Sequence, residues 1–321
     1  MKRALAVLLF AAVTPAAAAD LPDSTVTAGF CAKTLIGTPL RLPVFPAATQ
    51  RRLEQDVEIA RAALRIAPDR PESHFWVARR LSYLGRFCES VDVLTAAIAQ
   101  FPESYELRRY RARKLARSRQ FDAALADYRE GLRLMAGKPD YFEPDGLPNR
   151  VGITLGTYRA NMIYYHAQTS FAVGDYRRMV AGLQAVFDMT WPFAKNDMVP
   201  PIAYWTYLAH RKLGEHDKAR AAIARVPAEL DLIENAAYHQ AVKVMQGRIP
   251  LAEAAASKDP NVKFAAAMEH RFAGRETEAV RLLREIVVEN AQGHWPAEVE
   301  LVAPDRRASQ APPLPGMAKG S

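Results

Sequence analysis

Small and large apolar residues recur along the chain in one fixed step: Ser90 to Leu94, Ala124 to Tyr128, Ala219 to Ile223 and Ala279 to Leu283, with Met179 to Leu183 as a looser copy. Five residues before each step stands a turn position, namely Gly85, Arg119, Gly174, Gly214 and Gly274, and in the first three an aromatic follows two places on: Phe87, Phe121 and Tyr176. The phase is a true repeat. The segment 83–102 aligns with the one starting at residue 114 at an offset of 34, and Ala63 and Pro68 lie the same distance before Ala97 and Pro102. A sixth turn, Gly247, is followed by Pro250 and the short apolar run Leu251 to Ala256. Glycine at the turn admits the left-handed conformation that ends a helix, and a small residue lets the next helix approach closely. Each unit is thus a helical hairpin that cannot bury its apolar face alone. The pattern predicts an all-α solenoid of about five to six antiparallel helical hairpins.

Breaks in the pattern set the expected boundaries. The step from Arg119 to Gly174 is 55 residues long and contains GKPDYFEPDGLPNR, which predicts an inserted loop over 137–157; loops this long are functional or mobile. A second break is expected over 188–201, and the solenoid is expected to run from 51 to 302. Residues 20–50 hold four prolines and read as an irregular, extended segment, while the tail 303–321 lacks apolar periodicity and reads as disordered. At the start, Lys2 and Arg3 precede the apolar run Ala4 to Val13 and the triplet Ala17-Ala18-Ala19, the pattern of a signal peptide over 1–19. Asp20 stands where a lipoprotein would carry cysteine. The expectation is an exported, unlipidated periplasmic protein.

Composition narrows the chemistry. Half of the residues are hydrophobic and 24% are charged, as in a packed globular chain. Without Lys2 and Arg3 there remain 41 basic residues against 35 acidic ones, a net charge of +6 that is small for a nucleic-acid binder, and no binding-module signature accompanies it. No apolar run reaches the ~20 residues of a membrane span. Cys31 and Cys88 form an even pair in an oxidising compartment, hence a candidate disulfide; two buried thiols are the alternative. The seven histidines, at 74, 166, 210, 216, 239, 270 and 294, are scattered off ligand spacing, and no catalytic or phosphate-binding motif occurs. No metal, cofactor or catalytic residue is therefore assigned.

One constellation exceeds this background. RRYRARKLARSR, residues 108–119, places seven cations in twelve positions on the first helix of a repeat.

These residues resemble the tetratricopeptide repeat (TPR) family over roughly 51–292, most clearly over 71–136. The stretch from YWTYLAHRKLG at 204 through Gly247-Arg248-Ile249 to WPAEVEL is similar to the C-terminal half of bacterial envelope TPR adaptors of the NlpI type; it departs in Pro296 and in its proline-rich N-terminal segment. The resemblance implies that the first helix of each hairpin lines a concave groove. Arg109, Arg113 and Arg117 would then project inward, flanked by Phe75, Arg79 and Tyr83 on one side and Tyr164, Gln168 and Phe171 on the other. Guanidinium groups offer paired hydrogen bonds to a carboxylate while rings hold apolar side chains. A loose likeness to carboxylate-clamp TPRs leaves Asn161 as the sole asparagine suited to such a clamp. The implied function is a non-enzymatic adaptor or scaffold that binds a protein or peptide partner, through an acidic or C-terminal segment. The alternatives are a periplasmic scaffold for polysaccharide synthesis or export, and an enzyme whose site lies in the 137–157 loop, which a polar cluster over the groove would mark.

Overall fold

The computed structural model describes residues 32–190 and 194–302. The expected signal peptide, the tail 303–321 and Cys31 lie outside the described residues. Within them the chain is all-helical: α1 (Ala47–Ile66), α2 (Pro71–Tyr83), α3 (Phe87–Gln100), α4 (Tyr105–Arg117), α5 (Phe121–Leu134), α6 (Tyr158–Ser170), α7 (Tyr176–Met189), α8 (Lys195–Lys212), α9 (His216–Ala224), α10 (Ala236–Met245), α11 (Leu251–Ala255), α12 (Pro260–Phe272), α13 (Glu276–Glu289) and α14 (Trp295–Val302). Six hairpins, from α2–α3 to α12–α13, stack between a lone first helix and a lone last one, giving a TPR-like α-solenoid.

The six turns expected from sequence all adopt the left-handed conformation, with φ of 79° at Gly85, 64° at Arg119, 76° at Gly174, 74° at Gly214, 71° at Gly247 and 75° at Gly274. Each is closed the same way. The amide after the turn residue donates back to the carbonyl five residues earlier, from Arg86 to Leu81 at 3.1 Å and from Gln120 to Leu115, Glu215 to His210 and Arg275 to His270 at 2.9 Å. This is the bond that satisfies an otherwise orphaned carbonyl at a helix end. Ser90, Ala124, Met179, Ala219 and Ala279 are fully buried at the hairpin contacts, and the Ser90 hydroxyl donates to the Ala78 carbonyl across α2 and α3 at 2.7 Å.

Two boundaries differ from the expectation. Helix α1 starts at Ala47, within the segment read as irregular, because Pro46 closes the proline-rich stretch one residue before it. Helix α8 starts at Lys195 and carries Pro200 and Pro201 inside it, so the second break is shorter than 188–201. Asp197 explains part of this: its fully buried carboxylate accepts from the backbone amides of Ile233, Glu234 and Asn235 at 2.6, 2.7 and 3.0 Å, tying α8 to the segment that enters α10.

Helix α14 packs against α13 and the turn after α6. Trp295 stacks on Trp205, with ring centroids 6.1 Å apart, and lies edge-on to Phe171, which belongs to a single 3-10 turn after α6. Phe171 is therefore core and does not stand open on the groove wall. Glu298, fully buried, takes Arg119 as a two-pronged partner and accepts from the Leu35 amide at 3.0 Å, while Glu300 accepts from Lys212 at 2.6 Å and Arg271 at 2.8 Å. The Arg41 amide donates to the Ala291 carbonyl at 2.7 Å. The chain's described N-terminal segment and its last helix thus close on each other.

Arg119 is the one non-glycine residue at positive φ among the described residues, and it carries this closure. Arg119→Gly relieves a left-handed side-chain conformation that costs about 1 kcal/mol, but it strips a buried carboxylate of its partner, a loss of about 3–5 kcal/mol. Urea unfolding followed by circular dichroism is expected to show a net loss of about 2 kcal/mol or more; a variant as stable as the parent would contradict the closure.

Candidate functional site

Six of the seven cations of residues 108–119 divide between two faces of α4, and the seventh, Arg119, is the turn residue after it. Ser104 caps the start of the helix, its hydroxyl accepting from the Leu107 amide at 3.3 Å. On the side turned to α5, Arg111 grips Asp127 through two bonds of 2.7 Å and Arg108 reaches the same carboxylate at 3.5 Å. Arg109, Arg113 and Arg117 lie along another line of the helix at i, i+4 and i+8, with Lys114 next to Arg113.

The inserted loop does not stand away from the groove; it lies in it. The Glu143 amide donates to the Gly156 carbonyl at 3.1 Å and the Tyr158 amide to the Tyr141 carbonyl at 3.0 Å, which closes the loop base beside an isolated bridge of Phe142 with Thr157. From there Glu143 enters the concave face, 5% exposed, and its carboxylate meets Arg109 at 3.0 Å, the Asn161 side-chain amide at 2.8 Å and Arg79 at 3.7 Å. Arg79 also donates to the Pro144 carbonyl at 2.5 Å, to the Tyr83 hydroxyl at 2.6 Å and to the Tyr110 hydroxyl at 2.9 Å, and stands 3.7 Å from Asp145. Arg80 donates to the Gly146 carbonyl at 2.9 Å. Further along, Asn149 donates to Glu234 at 2.7 Å and Arg150 to Asp231 at 3.2 Å. The loop is a strap from α2 across α4 and α6 to the segment before α10. It places a polar cluster over the groove, but both carboxylates are committed to guanidinium groups, a structural pairing and not a nucleophile with its base.

Beneath the strap is a cavity of about 320 Å³. Arg113 forms one wall, its guanidinium 4.1 Å from the Tyr165 ring centroid and 3.4 Å from the Gln168 side-chain oxygen. Tyr164 and Tyr238 supply further polar edges, and Val186, Met189 and Met198 form an apolar wall. Toward α14, Arg117 lies over the Phe87 ring and donates to the Gln292 side chain at 3.2 Å.

Among the described residues, Arg113, Lys114 and Arg117 have no carboxylate within ion-pair distance, whereas Arg79, Arg109 and Arg119 on either side of them each do. Burial, then Arg113, Arg109, Arg117 and Arg79, hold the Lys114 ammonium well below the usual lysine range. Burial, then Arg113 and Arg119, press Arg117 down to about 10, and burial with Arg117 and Arg119 presses His294 down to about 3, so this imidazole is neutral at physiological pH. Burial works against the Arg109 charge, yet the Glu143 carboxylate and three tyrosines lift its pKa. Carboxylates thus offset Arg79, Arg109 and Arg119, while burial and cationic neighbours press Lys114 and Arg117 down.

Of the residues named from sequence, Arg79, Arg109, Arg113, Tyr164 and Gln168 line the cavity, Tyr83 stands behind Arg79, and Arg117 turns to Gln292. Asn161 does meet a carboxylate, supplied by the chain's own Glu143. Lys114 was hidden within the basic run, and nothing local marked Glu143 or Asp145 as groove residues. Cys88 carries a disulfide, and Cys31 lies outside the described residues. No group of His, Cys, Asp or Glu among the described residues is placed to hold a metal ion, and no described helix is long and apolar enough to cross a membrane.

No protein-family profile and no curated protein matches the chain. Solved structures similar to it include YrrB, a TPR protein with an unusual peptide-binding site, at 12% identity over 75% of this chain and 96% of that one with a TM-score of 0.42. Another is a thermophilic TPR protein of Thermus thermophilus, at 16% identity over 73% and 98% with a TM-score of 0.36.

A lysine whose pKa falls on folding costs stability at every pH below its unfolded value, here 10.5, and the cost is greatest once the pH lies below the folded value. Lys114→Met is therefore expected to raise the melting temperature at pH 7, with a gain that shrinks as pH approaches 10.5. A melting temperature lowered at pH 7, or a gain that grows with pH, would show that Lys114 is not a strained cation.

Proposed function

We propose that the chain is a non-enzymatic scaffold of the bacterial cell envelope, exported to the periplasm, that binds a protein partner by taking an acidic segment or chain terminus into its concave face. The observation that carries the reading is the trio Arg113, Lys114 and Arg117, set between flanks that the chain neutralises itself, with Arg113 lining a cavity that Val186, Met189 and Met198 share with the carboxylates of Glu143, Asp145 and Glu234. An acidic group from a partner relieves the repulsion at the trio, while a neighbouring apolar side chain fits against Val186, Met189 and Met198. Stacked hairpins are suited to this work because they present a long rigid face whose residues are held by helices. The leader-like pattern of residues 1–19 supports the compartment.

The immobilised mature chain is exposed to an envelope extract, and the retained proteins are compared with those held by Arg113→Gln/Lys114→Gln. The double variant is expected to keep its helical circular-dichroism signal and lose partners that the parent retains. Identical sets retained by both would remove the trio from the function.

A further inference from the structure

Resting on that reading, we infer that the strap residues Glu143 to Gly146 are a resident occupant of the groove and a template of its ligand: an extended acidic segment with proline between two carboxylates, which must displace the strap to bind. The contacts are those of a bound peptide. One carboxylate is buried between Arg109 and Asn161, at 3.0 and 2.8 Å, and two backbone carbonyls, of Pro144 and Gly146, accept from Arg79 and Arg80 on α2 at 2.5 and 2.9 Å. Side chains of groove helices thus read both charge and main chain of a segment lying across them, which is the way an extended ligand is held without sheet pairing.

The strap's attachment is polar. Glu143 is the buried anchor, while Tyr141, Leu147, Val151 and Ile153 are exposed at 59%, 46%, 44% and 39%. A segment held by ion pairs and carbonyl bonds, with its large apolar side chains outside, can leave without opening a hydrophobic core. It also blocks the way in. Glu143, Pro144 and Asp145 line the cavity that Arg113 borders, and the strap's far end is held at Asp231 and Glu234, so a polypeptide that runs along the groove past Arg109 and Arg79 has to displace the strap. Tethering sets the strap's effective concentration at about the millimolar level, so a ligand of the same chemistry binds the parent protein weakly and a strap-released variant strongly.

The probe is a fluorescent synthetic peptide of the strap's own sequence, DYFEPDGLP, residues 140–148, titrated against the full mature chain by anisotropy. Two variants release the strap by independent means. Glu143→Ala/Asp145→Ala removes its carboxylates; Gly146→Ala adds a Cβ that would meet the Tyr83 hydroxyl and stand 2.9 Å from Arg79 Nε, so that either these side chains or the strap must shift, which loosens the strap's hold while leaving its charges intact. Both are expected to bind the peptide about tenfold or more tighter than the parent, and Arg109→Ala added to either is expected to abolish the gain. Equal binding by the parent and both variants, or no binding by variants whose helical signal is intact, overturns the inference. The scaffold reading would survive that result if Arg113→Gln/Lys114→Gln still lost its envelope partners, since that capture does not depend on the strap's identity as a ligand.

Discussion

A cation held inside a protein needs a counter-charge, and the helix Tyr105–Arg117 with the turn after it presents more cations than its own hairpin can neutralise. Where the missing acids come from shapes the molecule. Asp127, one helix away, serves Arg108 and Arg111. Glu143, from the inserted loop, serves Arg109 and Arg79, and Glu298, from the last helix, serves Arg119. The second and third of these partners lie 34 and 179 residues away in sequence, and meeting them folds a strap over the groove and ties the C-terminal helix to Arg119. The compensation stops short at Arg113, Lys114 and Arg117.

The proposed binding role rests on that incompleteness. A fully paired network rigidifies the fold and offers nothing to a ligand; a half-paired one keeps a stored repulsion that an incoming anion can relieve. The depressed lysine and the depressed Arg117 mark the unpaired part of the row, and the raised Arg109 marks the paired part. The two bracketing elements are both acidic and both belong to the chain, and the proposed ligand is of the same chemistry.

The repeat was legible because its determinants are local. A left-handed turn residue, a small residue five places on and a large one four further are short-range requirements, and Arg119 could be placed in phase although it is not glycine. The row Arg109, Arg113, Arg117 and the choice of Asn161 came instead from the resemblance to TPR proteins, which says which helix face to look at; helix periodicity adds only that the three arginines share one face. What could not be read were partners brought together by the closure of the superhelix: the loop entering the groove, Trp295 stacking on Trp205, and Glu298 reaching Arg119. Phe171 was assigned to an open wall because nothing local announces that α14 covers it. Periodicity tells which face a residue occupies, and only the tertiary path tells what occupies the space in front of that face.

The central claim is that the chain leaves part of its cationic row for an acidic ligand to complete. The most direct test is the melting temperature of the protein as a glutamate hexapeptide is added at constant ionic strength, for the parent and for a variant with Arg113, Lys114 and Arg117 all replaced by glutamine. A ligand that binds only the folded state stabilises it in proportion to the logarithm of its concentration once above its dissociation constant. The account predicts a concentration-dependent rise for the parent that is absent in the triple variant. No rise in the parent, or the same rise in both proteins, would contradict it.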